Sequence, residues 1–206
     1  MLREPAVYLQ GDAVPRCFGF FQGEFHLDTI SCLLLEDCGP DMVTDFHEAD
    51  TSIKLKLVDK LYKIHEAGLA HQDVSPDNVV IKDDEPFWID FEYALRHVCP
   101  TRVEVKPGDF MPEKDQLRCG ELRDFIGSLG ICKSTYVHFR GCTMLLEAVH
   151  SPHYLYNNVP SAHLATAEKR AQVWREAKET FRKVEEDHKL FLAYLSRKKA
   201  AQKAAQ

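Results

Sequence analysis

His71-Gln72-Asp73-Val74-Ser75-Pro76-Asp77-Asn78, followed by Ile89-Asp90-Phe91-Glu92, decides the reading of this chain. An Asn stands five positions after Asp73, and a second Asp stands seventeen positions after it. Between them lie two short apolar runs, Val79-Val80-Ile81 and Phe87-Trp88-Ile89. They are joined through Asp83-Asp84-Glu85-Pro86, which predicts a hairpin. A hairpin returns the chain to its start, so Asn78 and Asp90 are expected to converge. The amide oxygen of Asn78 and the carboxylate of Asp90 are hard donors of the kind Mg²⁺ prefers. Asp73, on the loop itself, can accept a hydrogen bond from an acceptor hydroxyl. That set suits phosphoryl transfer, where charge must be neutralised and the acceptor held.

Upstream, Ile53 to Ala67 has helical periodicity. Ile53, Leu57, Leu61, Ile64 and His65 share one face, with Val58 beside them. Thr51 or Ser52 is the expected N-cap, and Gly68 suits a left-handed residue after the end. Val14 to Phe21 reads as a strand, and Ile30 to Glu36 as a second, buried strand. Gln22-Gly23-Glu24 is the expected turn between them, and Asp37-Cys38-Gly39-Pro40 breaks the second strand. Downstream, residues 100–114 are rich in Pro, Gly and charge and predict a loop. Leu117 to Gly130 and Gly141 to His150 read as helices, and His150 and His153 bracket a Ser-Pro loop. Ala165 to about Ser196 is a long helix. Val173, Trp174, Phe181, Val184, Leu190, Phe191 and Tyr194 form its docking stripe, expected to pack on the preceding lobe or on a partner.

The chain has 206 residues, 45% of them apolar and 28% charged, which suits a globular protein. No apolar run approaches a membrane span, and the first residues lack the apolar stretch of a signal peptide. Neither a membrane nor a secretory role is expected. The seven cysteines never form Cys-x-x-Cys. They read as reduced thiols of the cytoplasm, the nucleus being the other compartment consistent with them. No ligand pair has finger-like spacing, so a zinc site is not expected. Residues 166–206 carry 11 Lys/Arg against 6 Asp/Glu, a net of +5, which leaves −11 on the rest of the chain. An acidic body argues against general nucleic-acid binding.

His71 to Asn78 and Asp90-Phe91-Glu92 resemble the catalytic loop and metal-binding triplet of the protein-kinase-like superfamily. Leu33-Leu34-Leu35-Glu36-Asp37-Cys38-Gly39 is similar to its fifth strand and hinge, and Val14 to Phe21 to its fourth strand. The ensemble, over about residues 12–150, most resembles fungal proteins that carry a protein-kinase-like domain. The resemblance implies an α+β, protein-kinase-like fold. Residues 1–36 would be the remnant of a truncated N-lobe, and residues 37–164 a mostly helical C-lobe. Residues 165–206 would add a long amphipathic helix with a basic tail. It implies ATP and Mg²⁺ as cofactors. Asp73 would be the catalytic base, Asn78 and Asp90 the metal ligands, and His71 a support for the metal-binding loop. Glu36 and Cys38 would offer backbone groups to adenine, with Leu35 as gatekeeper.

Departures from the pattern are part of the expectation. Gln72 replaces the Arg of kinases switched by activation-loop phosphorylation, and Ser75 the Lys of Ser/Thr kinases. Glu92 replaces the Gly of Asp-Phe-Gly. No Gly-x-Gly-x-x-Gly occurs, and no Lys precedes Lys54. The implied function is transfer of the ATP γ-phosphoryl to a hydroxyl, a protein Ser/Thr first of all, weakly or not at all. A pseudokinase or scaffold is the alternative. Ile-Asp-Phe-Glu-Tyr-Ala is also similar to choline kinases and aminoglycoside phosphotransferases, which act on small molecules.

Overall fold

The computed structural model describes residues 4–26, 28–100 and 102–204. The chain mixes α-helices with small antiparallel two-stranded sheets and ends in a long helix. It divides into two compact units, residues 1–132 and 133–206. Residues 133–164 fall in the second unit with the C-terminal helix.

In the first unit, β1 (Cys17–Phe25) pairs with β2 (Asp28–Leu35). The expected turn at Gln22-Gly23-Glu24 is corrected, since all three residues lie within β1, and Gly23 pairs with Ile30. The chain reverses after Phe25, where His26 takes φ 56°. The expectation of a buried second strand is also corrected. Every residue of β2 is exposed, including Ile30 at 51% and Leu33 at 54%. An apolar run is buried only if other elements cover it, and this hairpin is a two-stranded ribbon.

Helix α1 (Thr51–Glu66) buries the stripe read from its periodicity, Ile53, Leu57, Val58, Leu61, Ile64 and His65. Its N-cap is Asp50, not Thr51 or Ser52, and the Asp50 side chain makes no capping bond. Gly68, at φ +86°, turns the chain out of the helix into β3 (Leu69–Ala70). The predicted hairpin forms as β4 (Val79–Lys82) and β5 (Glu85–Trp88). Its two-residue turn is Asp83-Asp84, both with positive φ, and Glu85 and Pro86 belong to the strand. Aspartate tolerates the left-handed region better than most side chains, which suits a primed turn. Strand β6 (Leu95–Arg96) returns to pair with β3.

Residues 102–114 contain no helix or strand, as predicted. Helix α2 (Gly120–Ser128) starts three residues later than expected, with Cys119 at its N-cap. Leu57, Leu61, Trp88, Leu122, Phe125 and Ile126 are members of one core cluster. Within it, Trp88 and Phe125 meet edge to face at 5.5 Å.

In the second unit, the helix expected over Gly141–His150 is corrected to a hairpin. Strands β7 (Tyr136–Phe139) and β8 (Cys142–Leu145) are followed by a 3-10 turn over Leu146–Ala148. The turn is Arg140-Gly141, both with positive φ, and β7 alternates exposed and buried residues with period two. Residues 152–157, near the expected Ser-Pro loop, form helix α3 (Pro152–Asn157), capped by the Ser151 hydroxyl. Helix α4 (Ala167–Ala204) packs against α3 and the short turns around residues 146–148 and 161–164. Val173, Ala177 and Phe191 are buried there, whereas Leu190, assigned to the stripe from sequence, is 41% exposed. Among the described residues, no helix is long and apolar enough to cross a membrane.

Candidate functional site

The loop after β3 holds Asp73 and Asn78 together through a single amide. Asn78 Nδ2 donates to Asp73 Oδ2 at 2.8 Å and to the Asp73 carbonyl at 2.8 Å. Its Nδ2 is committed, so the acceptor end, Oδ1, is the end left for another ligand. A 3-10 turn over Pro76–Asn78, opened by a proline, sets this geometry and leads into β4. The hairpin then brings the second loop back: Ile89 N donates to Asn78 O at 3.0 Å, placing Asp90 one residue beyond the paired position. Asp90 takes φ +55°, and its Oδ1 accepts from Glu92 N at 3.2 Å, leaving Oδ2. One amide oxygen and one carboxylate oxygen thus remain available from the two ends of the hairpin. Both are hard donors of the kind a magnesium ion prefers.

His71 ties the two loops. It is fully buried, and its Nε2 lies 2.9 Å from the Ile89 carbonyl. A carbonyl only accepts, so Nε2 carries the proton. The ring packs against Phe91 at 4.6 Å and Trp88 at 5.5 Å. His71 therefore positions the peptide that precedes Asp90. The loop bearing Asp73 is also held from the other side. Glu121, in the first turn of α2, accepts from His71 N at 3.1 Å, from Gln72 N at 2.5 Å and from His65 Nε2 at 2.6 Å. Burial pushes its carboxyl up, but the hydrogen bonds from His65 and from the two backbone N–H groups outweigh this and hold it low. Gln72, at φ +66°, sits in this clamp with a backbone conformation that non-glycine residues seldom adopt.

A 490 Å³ cavity opens beside Asp90. Its walls include Val14, Cys17, Leu33, Leu35, Asp90 and Phe91. The volume lies in the range of about 300–1,000 Å³ usual for ligand pockets. Of the hinge residues inferred from sequence, Leu35 lines this cavity; Glu36 and Cys38 do not. The Glu36 N–H is already bonded to the Arg16 carbonyl at 2.8 Å, and Cys38 is buried. Among the described residues, the lining carries the carboxylates of Asp90 and Glu92 and no cationic side chain. A second cavity, of 430 Å³, is lined by Gln72 and Val74, which flank Asp73, and by Asp124, Phe125 and Ser128 of α2.

Two features escaped the sequence. Glu121 lies 50 residues after His71, and nothing local marks it. The other is a cluster of His65, His97, Cys99 and Cys119, whose potential ligand atoms all lie within 4.8 Å of one another. A test by ligand spacing sees only neighbours in sequence and passes over such a cluster.

No protein-family model matches the chain, and no curated protein matches it. Among solved structures, that of vaccinia related kinase 3 is similar at a TM-score of 0.37 and 21% identity. The match covers 82% of this chain and 53% of that one, so the chain spans about half the length of that structure.

Proposed function

We propose that residues 1–132 form a phosphotransferase-type nucleotide site, with Asp73 toward the acceptor and Asn78 and Asp90 toward Mg²⁺-ATP. The observation that carries this reading is the bond of Asn78 Nδ2 to Asp73 Oδ2 at 2.8 Å, which pairs base and ligand in one unit. Bound there, the metal would supply charge neutralisation at the phosphates. Asp73 accepts the proton of a hydroxyl that enters from the cavity flanked by Gln72 and Val74. The apolar cavity walled by Val14, Leu33 and Leu35 takes the base of the nucleotide. A protein Ser/Thr is the acceptor this arrangement is assigned, with a small alcohol as the competing substrate.

The absence of a cation from the described cavity lining favours a second reading, a pseudokinase or binding module. Phosphate oxygens then meet no Lys or Arg, and the electrostatic stabilisation that usually dominates transfer is weak. The exposed apolar ribbon β1–β2 favours the same reading, since such patches mark interaction surfaces.

Thermal unfolding with ATP, with and without Mg²⁺, tests the proposal. A magnesium-dependent rise in melting temperature is expected, lost in Asp90→Asn and kept in Asp73→Asn. Phosphate release or transfer that vanishes in Asp73→Asn marks the enzyme; binding without turnover marks the pseudokinase. A nucleotide shift indifferent to both magnesium and Asp90 would overturn the site.

A further inference from the structure

We infer that His65, His97, Cys99 and Cys119 form a structural zinc-type site that clamps the base of the loop bearing Asp73. The inference is independent of the phosphotransferase reading. Four soft or borderline ligands, two imidazoles and two thiols, converge within 4.8 Å. Two imidazoles and two thiolates are the donor set of closed, tetrahedral zinc centres.

Two of the ligand separations match the edges of such a centre. Cys119 Sγ lies 3.6 Å from His65 Nδ1 and 3.5 Å from His97 Nε2. With Zn–S of about 2.3 Å and Zn–N of about 2.0–2.1 Å, the S···N edge of a tetrahedron is about 3.5 Å. The His65 and His97 rings meet edge to face at 4.9 Å, and each presents a nitrogen to Cys119 Sγ. His65 is 2% exposed and Cys119 is 5% exposed, so the centre is shielded from solvent on that side.

The surroundings match as well. His65 Nε2 donates to the Glu121 carboxylate at 2.6 Å, which turns the bare Nδ1 toward Cys119. A ligating His whose far nitrogen donates to a carboxylate is the usual outer shell of a zinc site; it fixes the tautomer and raises basicity. The same Glu121 accepts from the His71 and Gln72 backbone. The cluster therefore joins four places: the end of α1, the segment after β6, the N-cap of α2 and, through Glu121, the loop bearing Asp73. Strand β3 leads into the Asp73 loop, and β6 follows the Asp90 loop. Metal at this point fastens both flanks of the candidate site. On binding Zn²⁺, each thiol gives up its proton to solvent and two Zn–S bonds form, so two thiolates balance the charge of the ion.

The full chain, purified reduced, is analysed for metal by mass spectrometry, then stripped with chelator and reloaded with Co²⁺. One metal ion per chain is expected, with the visible bands of tetrahedral cobalt and thiolate-to-cobalt charge transfer. Chelation lowers the melting temperature, and Zn²⁺ restores it. Cys119→Ser and Cys99→Ser each weaken binding at least tenfold, whereas Cys132→Ser and the double change Cys17→Ser with Cys32→Ser leave it unchanged. Should Cys119→Ser fail to fold, Cys99→Ser and His97→Ala, both at half-buried positions, carry the comparison. Glu121→Gln weakens metal affinity by about 10–100-fold, the usual effect at an outer-shell partner. Substoichiometric metal, a cobalt spectrum without thiolate charge transfer, a spectrum unchanged in Cys99→Ser, or a Cys99–Cys119 disulfide in the purified protein would each overturn the site.

Discussion

The amide nitrogen of Asn78 donates to both the carboxylate and the carbonyl oxygen of Asp73, each at 2.8 Å. One side chain thus sets both the backbone and the carboxylate of the candidate base. Asn78 is 7% exposed, and losing its amide takes this donor from the half-buried oxygens of Asp73. Asn78→Ala is expected to cost about 1–3 kcal/mol of unfolding free energy, read from urea titration. Asp73→Asn keeps an acceptor oxygen and should cost less than half as much. Equal stability of Asn78→Ala and the parent chain would show that the pair anchors nothing.

Gly39 is a point of close backbone approach. It takes φ +89°, and a Cβ there would sit 2.2 Å from the Ile81 carbonyl oxygen. The neighbouring bonds, Ile81 N to Pro40 O at 3.0 Å and Met42 N to Val79 O at 2.8 Å, hold the segment against β4. Gly39→Ala must break that approach and adopt a left-handed backbone, for a loss of about 2–4 kcal/mol. Gly23 has open space around its α-carbon, so Gly23→Ala serves as the mild control. Similar melting temperatures for the two variants would refute the steric argument.

Acid should weaken the β4–β5 hairpin through Glu85. Its carboxylate lies 2.6 Å from Lys56 Nζ and 3.0 Å from the buried Lys60 Nζ. The hydrogen bonds from Lys56 and Lys60 hold its pKa below the ordinary glutamate value of 4.5. A group with a lowered folded pKa contributes stability above its unfolded pKa and loses it as pH falls through the folded one. The contribution is therefore full at neutral pH and fades in the acid range below 4.5. Glu85→Gln should lower stability at pH 7 and flatten the acid limb of the stability curve. An unchanged acid limb would assign that dependence to other carboxylates.

Helix α4 is expected to be part of the second unit's core. Ala177 and Val173 are fully buried, and Trp174 meets the His153 ring at 4.5 Å. Ala177→Leu has no room and should destabilise by about 1–3 kcal/mol. Deleting residues 166–206 uncovers the same surface on α3 and should lower the melting temperature or cause aggregation. A deletion variant as stable and soluble as the parent would make the helix a free appendage, and its basic face the better guide to its role.

How much was legible follows from the range of each signal. The α1 stripe, the β4–β5 hairpin and the Asp73–Asn78 loop rest on residues near one another in sequence, and their periodicity or spacing was readable. The helix expected over Gly141–His150 gives way to a hairpin, in which Cys142–Leu145 pairs with Tyr136–Phe139. Arg140-Gly141, both with positive φ, decided the matter. Strand β2 was read as buried because its composition is that of a core strand, yet composition says nothing about what covers it.

The sequence alone determined the spacing that brings Ile89, the neighbour of Asp90, back to Asn78, because a two-residue turn and antiparallel pairing are local. Only the tertiary structure decided which distant groups complete the site. Glu121 comes to His71 and Gln72 across 50 and 49 residues, and Cys119 to His65 across 54. Those contacts depend on α1 and α2 packing around Trp88 and Phe125, a consequence of burying apolar surface that no short motif encodes.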